Sequence, residues 1–236
     1  GLGFIFIRKG LISKFFRYLV SIMYRLCFGH KNQCIIFQNL DDQLKLTKLT
    51  KISENKTALI HGSGVDLSIF NYSTASVTDK PVVMLASRLL EDKGVREFIQ
   101  AAKLVKKSFK SVRFVLVGEP DYKYPLSIQH EELEQWKKDG IVEIWGYRSD
   151  MNIVLSMANI FVLPSYREGF SKVLSEASAI GRVIITTNVP GCRDVVEDGV
   201  TGILIPERNT EILASKISYL IDNPFLCEEM GRAGRK

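Results

Sequence analysis

The sequence is poor in the residues that build metal sites and disulfide frameworks. Its four cysteines, Cys27, Cys34, Cys192 and Cys227, are widely spaced with no C-x-x-C pair, and its three histidines, His30, His61 and His130, are equally scattered. That spacing argues against structural zinc or disulfide staples and fits a reducing cytosol. Acidic residues are missing ahead of Asp41, although Arg8, Lys9, Lys14, Arg17, Arg25 and Lys31 all precede it. The apolar run from Tyr18 to Tyr24 lies between Arg17 and Arg25 and is far too short to span a bilayer. No transmembrane segment is expected. A first-position Met is also lacking, and Met230 to Lys236 read as the middle of a helix with no stop signal. Both ends therefore read as cuts in a longer protein.

What is present is an ordinary globular balance, with 46% hydrophobic and 25% charged residues and a net charge of +6. Leu11 to Phe28 reads as a basic amphipathic helix, with Ile12, Phe15, Phe16, Leu19, Ile22, Met23 and Leu26 at three-four spacing. Such a helix either lies on anionic lipid or packs its apolar stripe in a domain core. Cys34 to Phe37 is expected to be a short buried strand and Thr57 to Ile60 another. The Ser- and Thr-rich stretch 71–80 is a natural linker.

From Pro81 the pattern changes to alternating strands and helices. Strands are expected at 81–86, 113–117, 142–145, 160–163, 183–187 and 203–205, mostly as continuous apolar runs suited to parallel strands buried on both faces. Helical patterns cover 94–107, 126–138, 150–158 and 171–179, and a last one at 210–221 closes the domain. The fold class is a Rossmann-like, doubly wound α/β sheet, with ligands expected at the carboxyl ends of its strands.

The first strand-to-helix turn, Ser87 to Gly94, holds no G-x-G-x-x-G cluster, and Gly62-Ser63-Gly64 lacks a third glycine. Dinucleotide binding is poorly supported. Arg88 and Lys93 instead flank a helix start, as a diphosphate would require, or as a solvated loop would tolerate. After the strand ending at Leu163, Glu168-Gly169-Phe170-Ser171 leads into another helix. Gly169 admits close backbone approach and Ser171 is a plausible N-cap. The amides of Gly169 to Lys172 would then face an anion together with the helix dipole. Glu176 lies roughly 7.5 Å further along the axis, about right for ribose hydroxyls when phosphates sit at the helix start. The bland alternative is two exposed glutamates.

The spacing of Glu168 and Glu176 in E-G-F-S-K-V-L-S-E resembles the E-x7-E signature of retaining glycosyltransferase family 4, which has the twin-Rossmann GT-B architecture. The resemblance extends through S-G-V-D before Phe70, S-R-L-x-x-x-K-G at Ser87–Gly94, Val117-Gly118, Trp145-Gly146, G-C-R-D-V-V-E-D-G-V-T-G at Gly191–Gly202 and the terminal E-M-G-R-A-G-R. It implies that residues 1–70 are a remnant of the acceptor-side domain, 71–80 the linker and 81–236 the nucleotide-sugar domain. It implies further that Arg88 and Lys93 bind the donor diphosphate, that Glu168 touches the transferred sugar, and that Glu176 holds the ribose. Backbone at Phe170 and Ser171 would meet the phosphate, Leu174 would belong to the same substrate-binding segment, and the loop Gly146, Tyr147, Arg148 would lie beside the base.

The family's transferases of this kind retain anomeric configuration. The resemblance points to extension of undecaprenyl-diphosphate-linked sugars for capsule, lipopolysaccharide or protein glycans. A UDP-sugar is the expected donor and a lipid-linked saccharide the acceptor. No cofactor is expected, and no Asp-x-Asp metal motif occurs. The expected location is the cytosol, with peripheral association at the inner membrane face. Two rivals are a nucleotide-sugar epimerase of similar architecture and a non-catalytic nucleotide-sugar-binding module. Nucleic acid is not an expected partner, because the basic residues lack interleaved aromatics outside the N-terminal helix.

Overall fold

The computed structural model describes residues 11–28, 30, 32–75 and 77–236. The opening apolar stretch with Arg8 and Lys9, the residue Lys31, and the side chains of Ile12, Lys14 and Arg17 lie outside what it describes. The chain forms β1 (Ile35–Phe37), β2 (Thr57–Leu59), β3 (Val82–Ala86), β4 (Arg113–Val117), β5 (Glu143–Gly146), β6 (Ile160–Leu163), β7 (Val183–Thr187) and β8 (Gly202–Ile205). Its helices are α1 (Leu11–Cys27), α2 (Leu40–Thr50), α3 (Val95–Val105), α4 (His130–Lys138), α5 (Met151–Ser156), α6 (Lys172–Ile180), α7 (Thr210–Asp222) and α8 (Pro224–Arg235).

Six of the strands make one parallel sheet in the order β5-β4-β3-β6-β7-β8. Strand period 2 divides their side chains between two cores. Val83, Leu85, Phe114, Leu116 and Val162 face α3 and α7, where Phe98, Ile99, Leu213 and Ile217 are buried. Met84, Val115, Phe161 and Leu163 face the other way, against Val154 and Leu155 of α5 and Leu174 and Ile180 of α6. The Phe98 and Phe114 rings meet edge to face with centroids 5.5 Å apart. Removing either ring would cost about 3–5 kcal/mol. The order of strands reverses between β3 and β6, which opens a crevice at their carboxyl ends.

Three expectations are corrected. The helix expected from Leu126 begins at His130, because Leu126 to Ile128 pair with the turn after β3: Glu91 N–H donates to Leu126 O at 2.8 Å and Ile128 N–H to Leu89 O at 2.9 Å. Helix α7 does not close the domain; Pro224, suited to a first helical turn, starts α8. Gly231 brings α8 so close to the α6–β7 turn that a Cβ there would stand 2.1 Å from Gly181 O. The strand β1 is not buried throughout, since Ile36 is exposed. It pairs in parallel with β2 alone, as a separate two-stranded sheet. Finally, the apolar stripe of α1, for which both lipid and a core were open, is uncovered within the described residues: Phe15, Phe16, Leu19, Met23 and Leu26 are exposed. The helix packs instead through Tyr24 and Phe28 toward Phe37 and Leu46. None of the described helices is long and apolar enough to cross a membrane.

Helix α2 had no expectation attached to it. Its start carries the usual signals, Asn39 as N-cap with Asp41 and Asp42 in the first turn. The stretch 71–80 has no helix or strand at its described residues, yet it is tied down. Ser73 N–H donates to Ile180 O at 3.0 Å, and the buried Arg182 guanidinium binds Ala158 O at 3.0 Å and both oxygens of Ser73.

Candidate nucleotide-sugar site

The crevice at the reversal point is a cleft of about 730 Å³. The turns after four strands contribute to it: Arg88 after β3, Gly118 after β4, Tyr147 and Arg148 after β5, and Glu168, Phe170 and Ser171 after β6. Two glycines make these turns possible. Gly118 has φ 126°, and a Cβ there would stand 1.9 Å from Ser87 O. Gly94 has φ 72°, and its Cβ would stand 2.2 Å from Pro164 O. The turns after β3, β4 and β6 are therefore packed backbone to backbone, which no side chain would permit.

Lys93 ends a short 3₁₀ turn, Glu91–Lys93, just ahead of Gly94. Its Nζ lies 2.7 Å from Glu168 Oε1. Arg88 is mostly exposed, and its Nη1 is 3.9 Å from Asp121 Oδ2, beyond hydrogen-bond range. Of these two cations Lys93 is thus fixed and Arg88 only loosely restrained. Arg148 is held by Asp150, with Nε 2.7 Å from Oδ1. Glu176 is buried on α6, with Lys172 Nζ 3.5 Å from its Oε1. Burial pushes its carboxyl above the ordinary range, and Lys172 pulls the other way. An acid in this state lacks the donors that an ionised carboxylate wants.

Of the residues expected from sequence, Arg88, Lys93, Tyr147, Arg148, Glu168, Phe170, Ser171 and Glu176 all line the cleft. Three do not. Gly146 ends β5, and its carbonyl accepts the Gly118 amide at 2.8 Å. Gly169 turns its carbonyl away, to Asn39 Nδ2 at 2.7 Å. Leu174 is wholly buried in the core beneath α6, so its side chain has no path to a ligand.

Ser171 also departs from expectation. Its side chain makes no capping bond, and its amide already donates to Gly191 O at 3.1 Å. The free amides of this helix start are accordingly those of Lys172 to Leu174, which helix geometry leaves without an i−4 acceptor. The sequence reading missed the Lys172 ammonium beside Glu176, for which i, i+4 spacing was the available signal. It also missed Asn39 and Asp42. Phe170 packs against the Gly62 turn, where a Cβ would stand 2.3 Å from its ring. That close approach accounts for Gly62 without any ligand.

With the fold and this site in view, comparison with known proteins places the chain. Residues 70–236 match the family model described as "Glycosyl transferases group 1", so the chain belongs to that family. The fold is that of the C-terminal Rossmann-like domain of GT-B glycosyltransferases.

Among curated proteins it is 31% identical over 238 residues to the N,N'-diacetylbacillosaminyl-diphospho-undecaprenol alpha-1,3-N-acetylgalactosaminyltransferase of Campylobacter jejuni, covering 96% of this chain and 61% of that protein. It is 32% identical over 160 residues to the capsular polysaccharide biosynthesis glycosyltransferase CapM of Staphylococcus aureus, covering 68% of this chain and 42% of that protein. The chain thus spans less than two thirds of either relative. Among solved structures it resembles Anabaena Alr3699/HepE in complex with UDP and glucose, with a TM-score of 0.74 at 21% identity, over 91% of this chain and 61% of the other.

Proposed function

We propose that this chain is the donor-binding part of a retaining, family 4 hexosyltransferase-type glycosyltransferase that moves a sugar from a UDP-sugar to a lipid-linked saccharide. Residues 81–236 would bind the donor, 71–80 would link, and 1–70 would belong to the acceptor side. The observation that carries the reading is the convergence of Arg88, Lys93, Glu168 and Glu176 on one cleft at the strand-order reversal.

In this reading Glu176 receives the ribose hydroxyls and the α6 amides face the phosphates. Arg88 swings in, Lys93 stays beside Glu168, and both stabilise charge growing on the leaving diphosphate. Glu168 reads hydroxyls of the transferred sugar, and Tyr147 and Arg148 flank the base. The relatives' names, an undecaprenol-linked transferase and a capsular one, support a lipid-linked or polysaccharide acceptor.

The test is a thermal-shift and calorimetric panel of UDP, GDP and ADP with UDP-glucose, UDP-N-acetylglucosamine and UDP-N-acetylgalactosamine, in EDTA. Stabilisation by UDP and its sugars without added metal is expected. Equal indifference to every nucleotide would overturn the proposal.

A further inference from the structure

Helix α2 begins with an amide side chain that does more than cap. Asn39 is 1% exposed, and its Oδ1 accepts the Asp42 amide at 2.7 Å, the ordinary capping bond. Serine or aspartate would serve that purpose equally. The other end of the amide is what distinguishes asparagine: Nδ2 donates to Gly169 O at 2.7 Å, across 130 residues of chain. Asp42, also buried, pairs with the Arg167 guanidinium, and Asp41 next to it pairs with Arg193. One helix start therefore grips the turn after β6 on both sides of a single residue, Glu168. The Glu168 carboxylate leaves this turn toward Lys93 and the cleft.

Burial makes these bonds matter. A buried carboxylate without its guanidinium, or a buried amide without an acceptor, would carry an uncompensated desolvation cost, so the geometry is strongly preferred once formed. The gripped turn is held from other sides too: Arg167 O accepts the Ser165 hydroxyl at 3.2 Å, Glu168 N–H reaches Pro190 O at a long 3.3 Å, and the Glu168 carboxylate meets Lys93 at 2.7 Å. Of all these contacts, those from α2 are the ones that bracket Glu168 at both neighbouring residues.

We infer that Asn39 and Asp42 are positioning residues that hold the Arg167–Gly169 turn, and with it Glu168, in the orientation that reads the donor's sugar. The part concerning the sugar rests on the donor-site reading above. Contact between the α2 segment and the sheet domain thereby becomes a condition for sugar recognition, while Glu176 on α6, at the nucleotide end of the cleft, lies outside its grip.

The test compares Asn39→Ser, which keeps the cap and loses the bond to Gly169, with Asp42→Arg and the charge swap Asp42→Arg/Arg167→Asp. Amide hydrogen exchange of the ligand-free chain and calorimetry with UDP and the UDP-sugars of the panel are the readouts. In Asn39→Ser, exchange at the Glu168 and Ser171 amides should rise about tenfold as that turn opens locally. UDP affinity should change less than about twofold, while the affinity advantage of the best UDP-sugar over UDP should fall about fivefold or more. Asp42→Arg should act likewise, and the swap should restore most of both effects.

Unchanged exchange at the turn in Asn39→Ser, or a swap no better than Asp42→Arg alone, would overturn the inference even with UDP binding intact. A raised exchange in a chain that binds no UDP would uphold the clamp and overturn the donor-site reading instead. A parallel loss of UDP and UDP-sugar affinity would show general damage rather than positioning, and would also overturn it.

Discussion

Lys93 Nζ and Glu168 Oε1 stand 2.7 Å apart although 75 residues separate them, and their side chains are only 15% and 14% exposed. The pair joins the turn after β3 to the turn after β6, the two strands between which the sheet order reverses. A buried pair is costly to form but far costlier to break on one side. Lys93→Met should therefore lower unfolding free energy by about 3 kcal/mol, leaving Glu168 buried without a counter-charge. Lys93→Met/Glu168→Leu should recover most of that loss. Urea denaturation of the four-member cycle measures it, and strictly additive losses would mean the two groups are not coupled.

How much of this was legible in sequence depends on how local the cause is. The central strands were legible because a parallel strand buried on both faces is a bare apolar run; Arg113–Val117, Ile160–Leu163 and Val183–Thr187 have the expected ends. Glu168 and Glu176 were legible from their E-x7-E spacing around a helix start, with Glu168 in the turn ahead of α6 and Glu176 on it. Helix α2 was not read, since its buried positions include Asp42 and Thr50 and so break the apolar period. The second bond of Asn39 and the consumption of the Ser171 amide by Gly191 have no local signature at all. They exist only once distant turns have been packed together.

Glu176 should make both stability and binding depend on pH, with opposite signs. Its carboxyl is raised by burial, so the folded state holds that proton more tightly than the unfolded chain does. By linkage, its contribution to stability is greatest below the ordinary glutamate value and is lost as pH climbs through the raised folded value. Glu176→Gln should then melt higher than wild type at neutral pH, with the gap closing in acid. In the proposed donor site ribose hydroxyls would donate to the ionised form, so wild-type UDP affinity should fall as pH drops below the raised value. In Glu176→Gln affinity should be lower at neutral pH by about tenfold to a hundredfold, for one or two lost charge-assisted bonds, and nearly flat with pH. Melting curves and calorimetry from pH 4 to 8, as a rough range around the reference value, decide it. A wild-type affinity that is flat over this range would remove Glu176 from the ribose.

The cysteines divide by burial. Cys27 and Cys34 are exposed, while Cys192 and Cys227 are buried and their thiols are pushed up to about 12. The thiolate is the reactive form, and neither buried sulfur can reach it near neutrality. A disulfide-exchange reagent at pH 8 should titrate Cys27 and Cys34 promptly in the native chain, with Cys192 and Cys227 reacting only after denaturant is added. Cys192 lies near Glu168, so peptide mapping that found it modified early would indicate that the Arg167–Gly169 turn opens readily.

Gly118 and Gly140 separate backbone freedom from backbone contact. Both have positive φ, 126° and 64°, but a Cβ on Gly140 meets nothing within 4 Å while one on Gly118 would lie 1.9 Å from Ser87 O. Gly140→Ala should cost only the left-handed penalty, about 1–2 kcal/mol. Gly118→Ala carries a backbone conformation that is nearly glycine-only, and it also forces the Ser87 carbonyl to move; a loss of about 3 kcal/mol or more is expected. The larger consequence is functional, because Ser87 precedes Arg88 and its displacement would swing that guanidinium away from the end of the cleft proposed to take the diphosphate. Gly118→Ala should thus weaken UDP binding about tenfold at a temperature where it is still folded, while Gly140→Ala leaves binding unchanged. Paired urea titrations and calorimetry read both. Equal effects of the two substitutions would mean that the packing of the β3 and β4 turns does not set the geometry of the cleft.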